Sequence, residues 1–143
     1  MTAPLVVERY IEAEPAQVYS FLTDSDRWVR WQGVEAIIQA RPRGLFAMTM
    51  GNGMRARGQF LELVPDRRVV FTWGWIDHPG VPPGSTTVEI DLVPKSGGTL
   101  LVLTHRDLPE DEVAVHTSGW EHYLDRLGIA AGGADPGPDP GPS

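Results

Sequence analysis

The sequence predicts an α+β fold: a curved antiparallel sheet of about seven strands wrapped on a long C-terminal helix, with two short helices after the first strand. Three observations carry this. Between residues 34 and 105, apolar side chains recur at every second position or in short runs cut by turn residues, the pattern of a sheet meander. From Pro109 onward the spacing becomes that of a helix. Before residue 34, helical spacing occurs only between residues 15 and 31.

The elements follow in order. Residues 5–13 are rich in β-branched and aromatic side chains and read as a strand that Glu14-Pro15 stops. Proline is well tolerated in the first turn of a helix, and Val18, Phe21 and Leu22 then fall on one helical face that ends near Thr23. Ser25 is the expected N-cap of a second short helix carrying Trp28 and Trp31. Turn signals at Arg41-Pro42-Arg43-Gly44, Gly51-Asn52-Gly53, Pro65-Asp66 and Lys95-Ser96-Gly97-Gly98 delimit strands at 34–40, 45–50, 54–64, 68–75, 86–93 and 99–105. Short gaps make neighbours pair antiparallel. The link over 77–85 holds three prolines and reads as a true loop. Val113, Trp120, Leu124 and Leu127 form the stripe of the last helix, the one element able to cover the sheet's apolar face. Residues 1–130 thus make one domain. Residues 131–143, almost purely Gly, Pro and Asp, are expected to be a disordered tail.

Composition narrows the function. A net charge of −7 argues against nucleic acid or an anionic membrane as partner. The absence of cysteine removes disulfides, thiolate metal sites and cysteine nucleophiles. No apolar run approaches the ~20 residues that cross a bilayer, and MTAPLVVERY has no signal-peptide pattern. A cytoplasmic location and no membrane insertion are the expectations.

In FTWGW, Phe71, Trp73 and Trp75 share one strand face, as do Leu101, Leu103 and His105 in LVLTH. On the last helix, His116, Trp120 and Tyr123 lie at i, i+4 and i+7, with Gly119 beside them. Glycine inside a helix costs about 1 kcal/mol relative to alanine, so room over a neighbour or a ligand is its expected return. His122 faces solvent in this reading. Buried indoles need hydrogen-bond partners, and five tryptophans exceed what a small core requires. The rings are therefore expected to line a cavity between helix and sheet.

These segments resemble a known group. A first strand, then AEPAQVYSFLTD, the pair Trp28 and Trp31, FTWGW, GSTTVEIDL with LTH, and HTSGWEHYLDRL stand in the order found in the SRPBCC (START/Bet v1-like) superfamily. More narrowly, the chain is similar to its Hsp90-ATPase-activator-homologue branch, over residues 5 to 128. The resemblance implies a helix-grip fold with a hydrophobic pocket under the last helix, and no single activity.

The expected function is binding of a small, largely hydrophobic molecule, aromatic or polycyclic, in that cavity. Its expected ligand-binding residues are Trp28, Trp31, Phe71, Trp73, Trp75, His105, His116, Gly119, Trp120 and Tyr123, with Arg9 as a further polar group. One alternative is a cyclase, aromatase or hydrolase using His105 or His116 as acid or base. Another is a partner-binding module of the Hsp90-activator kind. No cofactor and no metal are expected: Glu112 and His116 at i, i+4 with His105 form no established ligand motif. A homodimer is compatible with the chain.

Overall fold

A computed structural model describes residues 3–142. Its elements are β1 (Leu5–Ile11), α1 (Pro15–Thr23), α2 (Ser25–Trp28), β2 (Glu35–Ile38), β3 (Leu45–Thr49), β4 (Arg55–Val64), β5 (Arg68–Trp73), β6 (Thr86–Lys95) and β7 (Gly98–Arg106). A short 3-10 turn over Glu110–Glu112 leads into α3 (Val113–Ala131). The seven strands form one antiparallel sheet in the order β1-β7-β6-β5-β4-β3-β2, so β2 to β7 meander and β1 closes beside β7. This is the α+β architecture expected from the periodicities.

Two boundaries differ for identifiable reasons. The cap of α2 is Asp24, whose carboxylate accepts from the Arg27 amide at 2.9 Å, while the Ser25 hydroxyl accepts from the Ile38 amide at 2.9 Å. Trp31 consequently falls in the turn after α2. Strand β5 ends at Trp73 because the following loop folds directly onto the sheet: a Cβ on Gly74 would overlap the Pro82 carbonyl. Nearby, a Cβ on Gly58 would overlap the Thr72 carbonyl. Beyond β5, Trp75 pairs with the sheet through an isolated bridge to Ala56.

The core lies between the concave face of the sheet and α3. The helix contributes Trp120, Leu124 and Leu127, and the sheet Val69, Phe71, Val88, Ile90, Leu101 and Leu103. At the end closed by α1 and α2, an aromatic plug is filled by Trp28, Trp31, Phe46, Phe60 and Phe71, with neighbouring centroids 4.4 to 6.2 Å apart. Rings of this size remove the most apolar surface from water per residue. On the outer face Arg68 reaches Glu62 and Asp91 at 2.7 Å and Glu89 at 3.4 Å, and Arg106 reaches Glu89 at 2.7 Å. Charges there face water while the opposite face is apolar.

Beyond α3 the chain runs back along the helix without regular structure. Arg126 donates to the carbonyls of Pro136 and Gly137, and His122 donates to the Asp139 carboxylate at 2.6 Å. The expectation for 131–143 rested on the scarcity of apolar side chains; these contacts are polar, made by backbone carbonyls and one carboxylate. Ser143 lies outside the described residues.

Candidate functional site

The row in FTWGW divides. Phe71 belongs to the plug, 4.4 Å from the Phe46 ring. Trp73 is the junction, 5.0 Å from Trp75 and 5.2 Å from Trp120. Trp75 is half-buried at the edge of a cavity of about 400 Å³, a size suited to a small ligand.

Six of the residues expected from the sequence line this cavity: Trp73, Trp75, His116, Gly119, Trp120 and Tyr123. A Cβ built on Gly119 meets nothing within 4 Å, so this helical glycine opens onto free space. Four expected residues do not line it. Trp28, Trp31 and Phe71 are fully buried in the plug, since alternation says that a side chain points inward but not how far along the sheet the cavity extends. His105 is sealed in the core behind Trp120. Arg9 is also elsewhere, paired with Asp125 at 2.7 Å on the outside of α3.

The sequence reading missed Gln32, the 50–54 turn with Met50, Asn52 and Met54, and the loop residue His78. It also missed Glu112 and Val115 as lining residues, and Pro142 of the tail. Most of them sit in turns and loops, where no periodicity points to them. The detectable signal was limited to Gln32, a polar residue four positions after the buried Trp28.

His105 has both nitrogens engaged. The Thr86 hydroxyl donates to the Trp73 carbonyl at 2.8 Å, so its oxygen accepts from His105 Nε2–H at 2.8 Å. Nδ1 accepts from Trp120 Nε1–H at 3.0 Å. Burial, reinforced by the neighbouring His116, holds its pKa down at about 3. The ring is a neutral bracket for Trp120.

His116 is similarly committed. Nδ1–H donates to the Glu112 carbonyl at 2.8 Å, and Nε2 accepts from Trp75 Nε1–H at 3.0 Å. Burial lowers its pKa against the opposing pull of Glu112. At the rim His78 Nε2 lies 3.2 Å from Glu112 Oε2. Burial and the adjacent Asp139 push the Tyr123 hydroxyl up to about 12, so it stays protonated. Gln32 is buried, and its Oε1 accepts from Trp28 Nε1–H at 3.2 Å. Among the described residues, no group of three His, Cys, Asp or Glu side chains could hold a metal ion.

With strand order, covering helix and cavity in view, the comparison with known proteins is decisive for family. A profile described as "Activator of Hsp90 ATPase homolog 1-like protein" matches residues 12–132. The chain belongs to this AHSA1-like family. An AHSA1-like protein from Rhizobium etli is 45% identical, with 98% of this chain and 89% of that one covered and a TM-score of 0.74. DynU16, a protein of the dynemicin biosynthetic locus, is 22% identical over 90% of this chain and 46% of its own, with a TM-score of 0.76. The Aha1 dimer from Colwellia psychrerythraea is 18% identical, covers 93% and 100%, and has a TM-score of 0.80. The last two establish likeness of fold alone. No curated protein matches by sequence. The AHSA1-like chain has the helix-grip fold of these neighbours, and no helix among its described residues is long and apolar enough to cross a membrane.

Proposed function

We propose that this AHSA1-like protein binds a small, largely apolar molecule, aromatic or polycyclic, in the cavity between the sheet and α3. The observation that carries the reading is a space of about 400 Å³ walled by Trp73, Trp75 and Trp120, with Gly119 leaving it unfilled. Flat indole faces favour flat aromatic partners through offset or edge contacts. Acid–base catalysis by His105 or His116 needs a free ring nitrogen facing a substrate. Each nitrogen of both rings already has a protein partner, which supports binding over chemistry. DynU16, from a biosynthetic locus, has the same fold, and capture of an aromatic intermediate is a role this cavity would suit.

The test is a titration with 1-aminoanthracene, following tryptophan emission. Saturable quenching at one probe per chain, weakened in Trp75→Ala, is the expected result. Quenching that never saturates, or is indifferent to Trp75, would reject the reading.

A further inference from the structure

Every polar group of the cavity wall can be asked whether its hydrogen bonds are already made. Trp75, Trp120 and His116 have theirs, as described. At the rim Glu112 and His78 face each other, and Asn52 accepts from the Met54 amide at 3.0 Å.

Gln32 is different. Its side chain is nine-tenths buried or more, at 3% residue exposure, and it lines the cavity. Of the two ends of the amide, only the carbonyl oxygen can accept from an indole N–H, so the bond from Trp28 fixes which end is which. The amide NH₂ must point the other way. It makes no hydrogen bond among the described residues, and it is not sealed in protein. Trp73, in the same wall, carries a buried indole N–H that also lacks an acceptor. The inner wall is short of acceptors.

We infer that the cavity takes a neutral aromatic carbonyl compound, inserted carbonyl first, with the Gln32 amide donating to its oxygen. This deepens, and rests on, the binding reading above. A ligand filling the cavity closes this donor off from water, where an unpartnered donor is costly, and a ligand oxygen supplies the acceptor the protein omits. Neutrality follows from the wall itself. Its lining holds no Arg or Lys and one carboxylate, Glu112, while Arg126, on the Trp31 carbonyl beside Gln32, is not among the lining residues and has Asp139 at 4.0 Å, so an anionic oxygen would enter uncompensated. The acceptor is therefore a ketone, quinone, lactone or amide oxygen. A hydroxyl or amine on the ligand is tolerated where it faces the Glu112 carboxylate of the wall.

The experiment compares 1-tetralone with tetralin, the same skeleton with and without the carbonyl, each displacing 1-aminoanthracene. It is run on wild type, on Gln32→Met, and on Gln32→Glu at pH 8. Gln32→Met removes the donor at similar volume. Gln32→Glu keeps an oxygen for Trp28 and replaces the free nitrogen with a second oxygen, so it serves if Gln32→Met does not fold. The ratio of tetralone to tetralin affinity should fall about tenfold in either variant, the size expected when one buried donor loses its acceptor. An unchanged ratio in the folded variants would overturn the assignment of Gln32 while leaving cavity binding intact. If neither compound displaces the probe from wild type, the binding reading falls and this inference falls with it.

Discussion

Trp75 donates its indole N–H to Nε2 of His116 across 3.0 Å, and the other nitrogen of that imidazole donates to the Glu112 carbonyl at 2.8 Å. The cavity edge is thus held by a neutral histidine that accepts with one nitrogen and donates with the other. Protonation of Nε2 would turn the acceptor into a donor facing a donor. His105 holds Trp120 in the same manner from within the core.

Both histidines have folded-state pKa values below the ordinary 6.5, His105 at about 3. The unfolded chain therefore takes up protons first as pH falls. Their contribution to stability is complete above pH 6.5 and is lost below it, down to about pH 3 for His105. Each contributes a slope of up to about 1.4 kcal/mol per pH unit. Urea unfolding at pH 7.5 and pH 5.0 should show a clear loss at the lower pH, smaller in His105→Gln. A stability that is flat between these two values would contradict the neutral-bracket description.

Gly119 offers a separation of stability from binding. With nothing within 4 Å of its Cβ position, Gly119→Ala should stabilise the protein by about 1 kcal/mol through helix propensity alone. Gly119→Leu should extend into the cavity and lower 1-aminoanthracene affinity sharply. Retained affinity in Gly119→Leu would mean that the ligand lies away from α3.

Trp73 and Trp75 should respond differently to truncation. Trp73 is buried at 2% exposure and touches Trp75, Trp120, Phe46 and Phe71, so Trp73→Ala should cost ~3–5 kcal/mol along with binding. Trp75→Ala should weaken binding with a smaller loss, since that residue is only partly buried. Equal destabilisation with unaltered probe binding would identify both rings as packing alone.

The tail permits a kinetic test. Pro142 borders the cavity, and the contacts holding residues 135–142 are partly exposed. Most of residues 135–142 are exposed and bury little apolar surface, so a chain ending at Ala134 should lose only a few degrees of Tm at most. Its association rate with 1-aminoanthracene in stopped flow should rise. An unchanged rate would show that Pro142 does not obstruct entry.

Periodicity made the architecture legible. Val18, Phe21 and Leu22 are the three buried residues of α1, and Trp120, Leu124 and Leu127 lie on the buried side of α3. The candidate site was legible only in part. Trp73 and Phe71 carry the same inward signal, yet one borders open space and the other fills the plug, because that depends on which distant rings meet them. His105 is recognisable as a bracket only once Thr86 and Trp120, 19 and 15 residues away in sequence, are known to contact it. Gln32 and His78 belong to turns, where a side chain's direction is set by backbone geometry that no repeat encodes.

The bare backbone contacts at Gly58 and Gly74 bear on how this protein could change. The loop between Trp75 and Ser85 is fastened at both feet by main-chain bonds: Trp75 N–H to the Val81 carbonyl, Ile76 N–H to that of Arg55, and Gly84 N–H to that of Arg57. Side chains in between, His78 included, take no part in those fastenings. Inherited variation can therefore exchange the loop's chemistry while its anchorage stays put, provided the two glycines remain. A library randomised at His78, Asn52, Met54 and Val115 would sample new ligand preferences on an unaltered frame, and Gly58 and Gly74 are the positions it must leave alone.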